Sequence, residues 1–205
     1  GTGCRNLGSL RSMARKIKMK HVVVVAIMVL FVFCGQGLFA DQHRTLSDAT
    51  GRVVSVPTPV SRLICSGPGA LRLLTYLGAQ DLIVAVDDIE SRNNHFDARP
   101  YALAHPELKD YPIFGGFRGF DHPELILALE KQPQVIFKTY ATTGHDAVEL
   151  QEKTGIPTII LEYGNLDTHR ESFFQSLRIM GDIVGKKARA EEIITFFNTT
   201  INDLV

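Results

Sequence analysis

Along the chain from residue 52 onward, apolar positions recur in short blocks whose spacing switches between that of strands and that of helices. Arg52 to Val56 is a β-branched run closed by Pro57 and preceded by the turn-forming Ala49-Thr50-Gly51, which predicts an edge hairpin or lead-in strand. Arg62 to Cys65 reads as a short strand, broken by Ser66-Gly67-Pro68-Gly69. Ala70 to Leu77 follows as a helix with Leu71, Leu73, Leu74 and Leu77 on one face and Gly78 as its stop. Leu82 to Val86 is an almost purely apolar strand with Asp87 and Asp88 at its C-terminal end.

The alternation continues in the second half. Asp121 to Lys131 is predicted helical, Gln134 to Phe137 a strand, Asp146 to Lys153 a helix, and Pro157 to Leu161 a strand ending in Glu162-Tyr163-Gly164. A longer helix pattern runs from Leu166 to Val184, Gly185 breaks it, and Lys186 opens another with Ala190, Ile193, Ile194, Phe197, Ile201 and Leu204 at helical spacing. Strands alternating with helices of this length predict right-handed βαβ units on a parallel sheet, an α/β fold.

The first forty residues change the picture. They hold six of the 22 Lys/Arg and none of the 22 acids, and Val22 to Cys34 is continuously apolar. A basic flank before a short apolar core is the layout of a secretory signal, and the run falls short of the ~20 residues of a membrane span. Cleavage is expected after Ala40. A lipid anchor on Cys34 is disfavoured because Phe33 stands where a lipobox needs a small residue. Without that segment 16 bases face 22 acids, a net charge of −6, which argues against a nucleic-acid partner. Cys65 is then the one remaining cysteine, so no internal disulfide is available, and it reads as a small buried hydrophobe.

Within GFRGFDHPELILALEKQPQVIF, residues 116 to 137, Asp121 and Glu124 have the spacing of a capping box, and Pro123 suits a first helical turn. Gly115, Gly116 and Gly119 let the loop turn sharply. Arg118 has no such local role: it is a cation between two phenylalanines, on the side of the sheet where α/β folds bind ligands.

The order of five segments is similar to that of the periplasmic binding proteins of iron-siderophore, haem and cobalamin ABC importers. They are DATGRVVSVPTPVSRLI, SGPGALRLLTYLGAQDLIVAVDD, GGFRGFDHPELILALEKQPQVIF, LQEKTGIPTIILEYG and SLRIMGDIVGKKARAEEIITFF. The resemblance implies two parallel-sheet lobes joined by a long helix, with residues 1–40 upstream sequence and signal, 41–185 an N-terminal ligand-binding lobe and 186–205 the start of the interlobe helix. A second lobe is missing from the sequence, which is therefore expected to be a fragment. It further implies a ligand held at the strand ends by Ser66, Gly67, Asp87, Asp88, Phe117, Arg118, Lys138, Tyr140, Glu162 and Tyr163. For each of these a solvated strand-end residue is the alternative.

Arg118 or Lys138 would pair with an anionic chelate, and Tyr140 and Tyr163 would stack on a ligand or ligate haem iron. The resemblance gives Glu124 a docking charge for an arginine of an ABC permease in the inner membrane, beside its capping role. The expected function is periplasmic, non-catalytic capture of a metal chelate, a ferric siderophore before haem or cobalamin, with no resident cofactor. The alternatives are a chelatase or nitrogenase-like enzyme subunit, or a single-lobe haem or chelate carrier. Against an enzyme stand the lack of a cysteine cluster, of a phosphate-binding glycine fingerprint and of a Ser-His-Asp grouping. A metal site at His95 with Asp97 is conceivable, but an Asn- and Asp-rich loop reads first as a loop.

Overall fold

The computed structural model describes residues 42–67, 69–92, 98–139 and 144–204. The signal-like segment, His95, Asp97 and Tyr140 lie outside them. The expected hairpin is present: β1 (Gln42–Ser47) pairs antiparallel with β2 (Val53–Thr58), with Leu46 opposite Val54. Asp48 organises its turn, the carboxylate accepting from the Thr50 and Arg52 amides, the Thr50 hydroxyl and Arg52 Nε at 2.8 to 3.1 Å.

The sheet is built from two three-stranded pieces. In one, β3 (Leu63–Ser66), β7 (Val135–Lys138) and β8 (Thr158–Ile160) run parallel in the order β3-β7-β8. In the other, β4 (Val86–Asp87) is parallel to β5 (Ile113–Gly116), which turns back through β6 (Phe120–Asp121). A parallel bridge between Leu63 and Ile83, with the Val84 amide donating to the Leu63 carbonyl at 3.1 Å, joins the two pieces. The strand expected over Leu82 to Val86 is thus displaced. Leu82 closes a 3-10 turn, and the ladder is shared between β3 at Ile83 and β5 at Val86, whose amide donates to Pro112. The chain passes from β3 to β4 on one side and later to β7 on the other, so β3 is the topological switch point, where ligands of open α/β sheets bind.

Side-chain alternation covers both faces of this sheet. Leu63, Cys65, Val135, Phe137 and Ile159 pack against α1 (Ala70–Tyr76), α6 (Arg170–Ile183) and α7 (Lys187–Asp203) through Leu73, Leu74, Phe174, Leu177, Ala190 and Ile194. Ile64 and Ile136 point the other way, to Phe114, to Ile126 of α4 (Pro123–Leu127) and to Leu150 of α5 (Ala147–Thr154). Burial on both faces is what the unbroken apolar strands require. Two short helices, α2 (Asp88–Ser91) and α3 (Pro100–Ala104), follow β4. Among the described residues no helix is long and apolar enough to cross a membrane.

The capping box is corrected. The helix is the short α4 rather than Asp121 to Lys131, its N-cap is His122, and no side chain caps it. Asp121 is drawn instead into β6, and its Oδ2 takes the Lys138 ammonium at 2.5 Å. The fully buried ammonium commands this carboxylate more strongly than an exposed helix start would.

Candidate functional site

A cleft of about 190 Å³ opens at the C-terminal ends of β3 and β4, lined by Cys65, Gly67, Gly69, Leu71, Arg72, Asp87, Ile89, Glu90, Arg99, Tyr101, Phe117 and Tyr163. Backbone geometry makes its near wall. Gly67 (φ +83°) and Gly69 (φ +81°) carry the chain from β3 into α1, and a Cβ at Gly67 would meet Thr139 Oγ1 at 2.6 Å. A Cβ at Gly69 would meet the Tyr163 ring at 2.7 Å. Only glycine permits both the left-handed turn and the close approach.

Two acids form the floor. Glu90, 3% exposed, accepts from Arg99 Nη1 at 2.7 Å and from the Tyr101 hydroxyl at 2.8 Å. Asp87, 7% exposed, N-caps α2 through the Ile89 amide at 3.3 Å. Burial first and the Glu90 charge second raise its pKa to about 7; Asp88 adds to this, and the Ile89 amide and Arg99 oppose it. Burial and the charge of Asp87 push the Cys65 thiol well up, so Cys65 is the inert buried hydrophobe its position suggested.

Cations and aromatic faces make the walls. The Arg72 guanidinium lies over the Tyr163 ring, 5.6 Å from its centroid, and its buried Nε has no hydrogen-bond partner among the described residues. Arg118 is exposed in the β5–β6 turn, with φ 68° and its guanidinium 5.5 Å from the Phe117 ring centroid. That turn is tied down from two sides. Asp88 Oδ1 accepts from the Phe117 amide at 2.7 Å, and Lys138 Nζ donates to the Gly119 carbonyl at 3.0 Å.

The sequence-predicted residues therefore divide. Gly67, Asp87, Phe117 and Tyr163 line one cleft, and Arg118 stands beside Phe117 at the turn. Lys138 is corrected: its ammonium is fully buried against Asp121, Gly119 and, at 3.4 Å, Ser66 Oγ, so it braces the turn from within instead of reaching a ligand. Ser66 is buried as its neighbour, and Asp88 is engaged with Arg92 and Phe117. Glu162 is exposed beyond β8, its backbone carbonyl accepting from Ser176. Glu124 is exposed in the first turn of α4, near the exposed side chains of Phe120, Leu125 and Leu127 in sequence.

Arg72, Glu90, Arg99 and Tyr101 escaped the sequence reading. Arg72 carried a signal, a cation among the leucines of a helix entered through two glycines. The Glu90-Arg99-Tyr101 cluster is assembled across a loop and carried none. Among the described residues no cluster of three or more His, Cys, Asp or Glu is arranged to hold a metal ion.

No protein-family model matches the chain, and no curated relative does. Solved structures do. A periplasmic solute-binding protein from Veillonella parvula superposes with a TM-score of 0.63 at 22% identity, over 78% of this chain and 46% of its own. The petrobactin-binding protein YclQ of Bacillus subtilis gives 0.62 at 18% identity, over 79% and 52%. The molybdate-binding periplasmic protein MolA of Haemophilus influenzae, solved with molybdate, gives 0.61 at 20% identity, over 74% and 49%. The fold is that of one lobe of periplasmic binding proteins, and the chain spans about half the length of the structures it matches.

Proposed function

We propose that this chain is the N-terminal lobe, with the start of the interlobe helix in α7, of an exported substrate-binding protein that captures a metal chelate and delivers it to an ABC permease. A ferric siderophore is the first choice of cargo, haem or cobalamin the second. The observation that carries the reading is the place of the cleft. It opens at the switch point of a lobe whose fold is that of periplasmic binding proteins, with Arg72, Phe117 and Tyr163 lining it and the Arg118 guanidinium 5.5 Å from the Phe117 ring centroid. Guanidinium groups and aromatic faces suit a planar, oxygen-rich anion such as a catecholate or carboxylate chelate. Glu124, exposed on α4, is the docking charge for the permease in this reading.

The test is calorimetric titration of the chain with ferric catecholate, hydroxamate and carboxylate siderophores, haemin and cobalamin. Saturable binding of one class, weakened tenfold or more by Arg72→Ala or Arg118→Ala, is the expected result. Turnover of any chelate would instead favour an enzyme. Titration with molybdate tests whether the cleft takes a bare oxyanion, the ligand named for one of the structures it resembles.

A further inference from the structure

Of the two acids that line the cleft, Asp87 is the less compensated. It ends β4 beside the switch point, and its one hydrogen bond among the described residues is the long one from the Ile89 amide. On its own side of the sheet, Glu90 is bound to Arg99 and Tyr101, and Asp88 is bound to Arg92 and the Phe117 amide. From β3 it faces the Cys65 thiol, and β5 contributes no titratable residue. From α1 the cleft receives Arg72, whose guanidinium is stacked on Tyr163. Asp87 thus feels the charges of two other acids, Glu90 and Asp88, and Arg99, the cation whose charge it feels, is held against Glu90.

The consequence is a carboxyl that is neutral or charged over a physiological range, at the place where cargo would sit. Burial gives its neutral form the advantage that a solvated aspartate lacks. A neutral carboxylic acid is a hydrogen-bond donor, and an ionised one only accepts. When Asp87 ionises, it sets a further negative charge against any anion drawn in by Arg72 and Arg118.

We propose that Asp87 is a proton-linked cargo contact: in its neutral form it donates a hydrogen bond to an oxygen of an anionic chelate, so that binding takes up one proton from solvent. The inference rests on the reading of the cleft as a cargo site and deepens it. It assigns the cargo a negative charge and an acceptor oxygen, and it makes capture stronger on the acidic side of neutrality. A cationic chelate would show the opposite dependence.

The test uses the chain with two probes of opposite charge, ferric enterobactin, an anion, and ferrioxamine B, a cation, titrated calorimetrically from pH 6 to 8.5 in buffers of different ionisation enthalpy. For ferric enterobactin we expect affinity to fall by up to about tenfold per pH unit above pH 7, with uptake approaching one proton at pH 8.5. Asp87→Asn, which keeps a donor and cannot ionise, is expected to bind with a flat profile near the wild-type acid limb. Binding of the anion with equal affinity across the range, or a slope that survives in Asp87→Asn, overturns the proton-linked contact and leaves the cargo reading standing. Binding of ferrioxamine B alone overturns the assigned charge. If neither probe, nor haemin, nor cobalamin, binds at any pH, the cargo reading itself fails and this inference falls with it.

Discussion

At the scale of the residue, two buried ionic arrangements behave in opposite ways. Lys138 and Asp121 are both inside the lobe and face each other, so either one alone is an unpaired buried charge. Asp121→Asn or Lys138→Met is expected to lower the unfolding free energy by about 3–5 kcal/mol, and the two substitutions together by less than the sum of the single changes. Urea denaturation of the three variants checks this; strict additivity would refute the pairing. Asp87 has no such partner. Its folded-state pKa of about 7 lies above the unfolded value of 3.8, so it destabilises the fold once it ionises. By the sign of linkage its contribution is most favourable below about pH 4 and is lost as pH rises to 7. Relative to wild type, Asp87→Asn is therefore expected to gain stability between pH 4 and pH 7, by roughly 3–4 kcal/mol, and to gain no more above. Thermal melts across that range read the difference directly, and a constant difference would count against the shift.

At the scale of the element, a buried carboxylate organises the junction of the hairpin with the sheet edge. Asp48 accepts from its own turn and, at 3.4 Å, from the Ile160 amide, while the Ala49 amide donates to the Ile160 carbonyl at 3.0 Å. Arg52, held by Asp48, reaches the Thr158 carbonyl with its other end. Burial works to raise the Asp48 pKa, but the hydrogen bonds from Thr50 and Arg52 outweigh it and hold it below the ordinary value of 3.8. A depressed carboxyl stabilises above the unfolded pKa and loses that contribution as pH falls through the folded one, so the hairpin is expected to loosen first in acid. Asp48→Ala is expected to cost about 3 kcal/mol and to raise amide exchange in β1 and β2 ahead of β7; uniform exchange would argue against a local tie. In the β3–α1 turn, Gly69→Ala sets a Cβ against Tyr163 at a positive φ, with an expected loss of about 1–3 kcal/mol.

At the scale of the whole molecule, cargo capture and permease docking use separate parts of the lobe in the proposed reading. Glu124 carries no part of the cleft lining, so Glu124→Arg is expected to leave chelate affinity within twofold and to abolish transport by reconstituted permease. Loss of affinity in that variant would mean that α4 supports the cleft rather than the partner.

The sequence by itself determined the alternation of strands and helices, the parallel arrangement, the hairpin and the buried role of Cys65. Apolar periodicity and glycine position are local signals, and β3, β7, β8 and α6 follow them closely. Only the tertiary structure decided the competition between Asp121 as a cap and Asp121 as the partner of Lys138, because that choice depends on a charge 17 positions away that burial leaves no other outlet. The same holds for the cleft floor. Lys138 and Asp87 both end strands of this sheet, and nothing in either strand's own pattern says that one is neutralised by an opposite charge while the other meets acids of its own sign. Which charges share a buried space is set by the packing of distant segments, and that packing made Lys138 a brace and left Asp87 beside acids of its own sign.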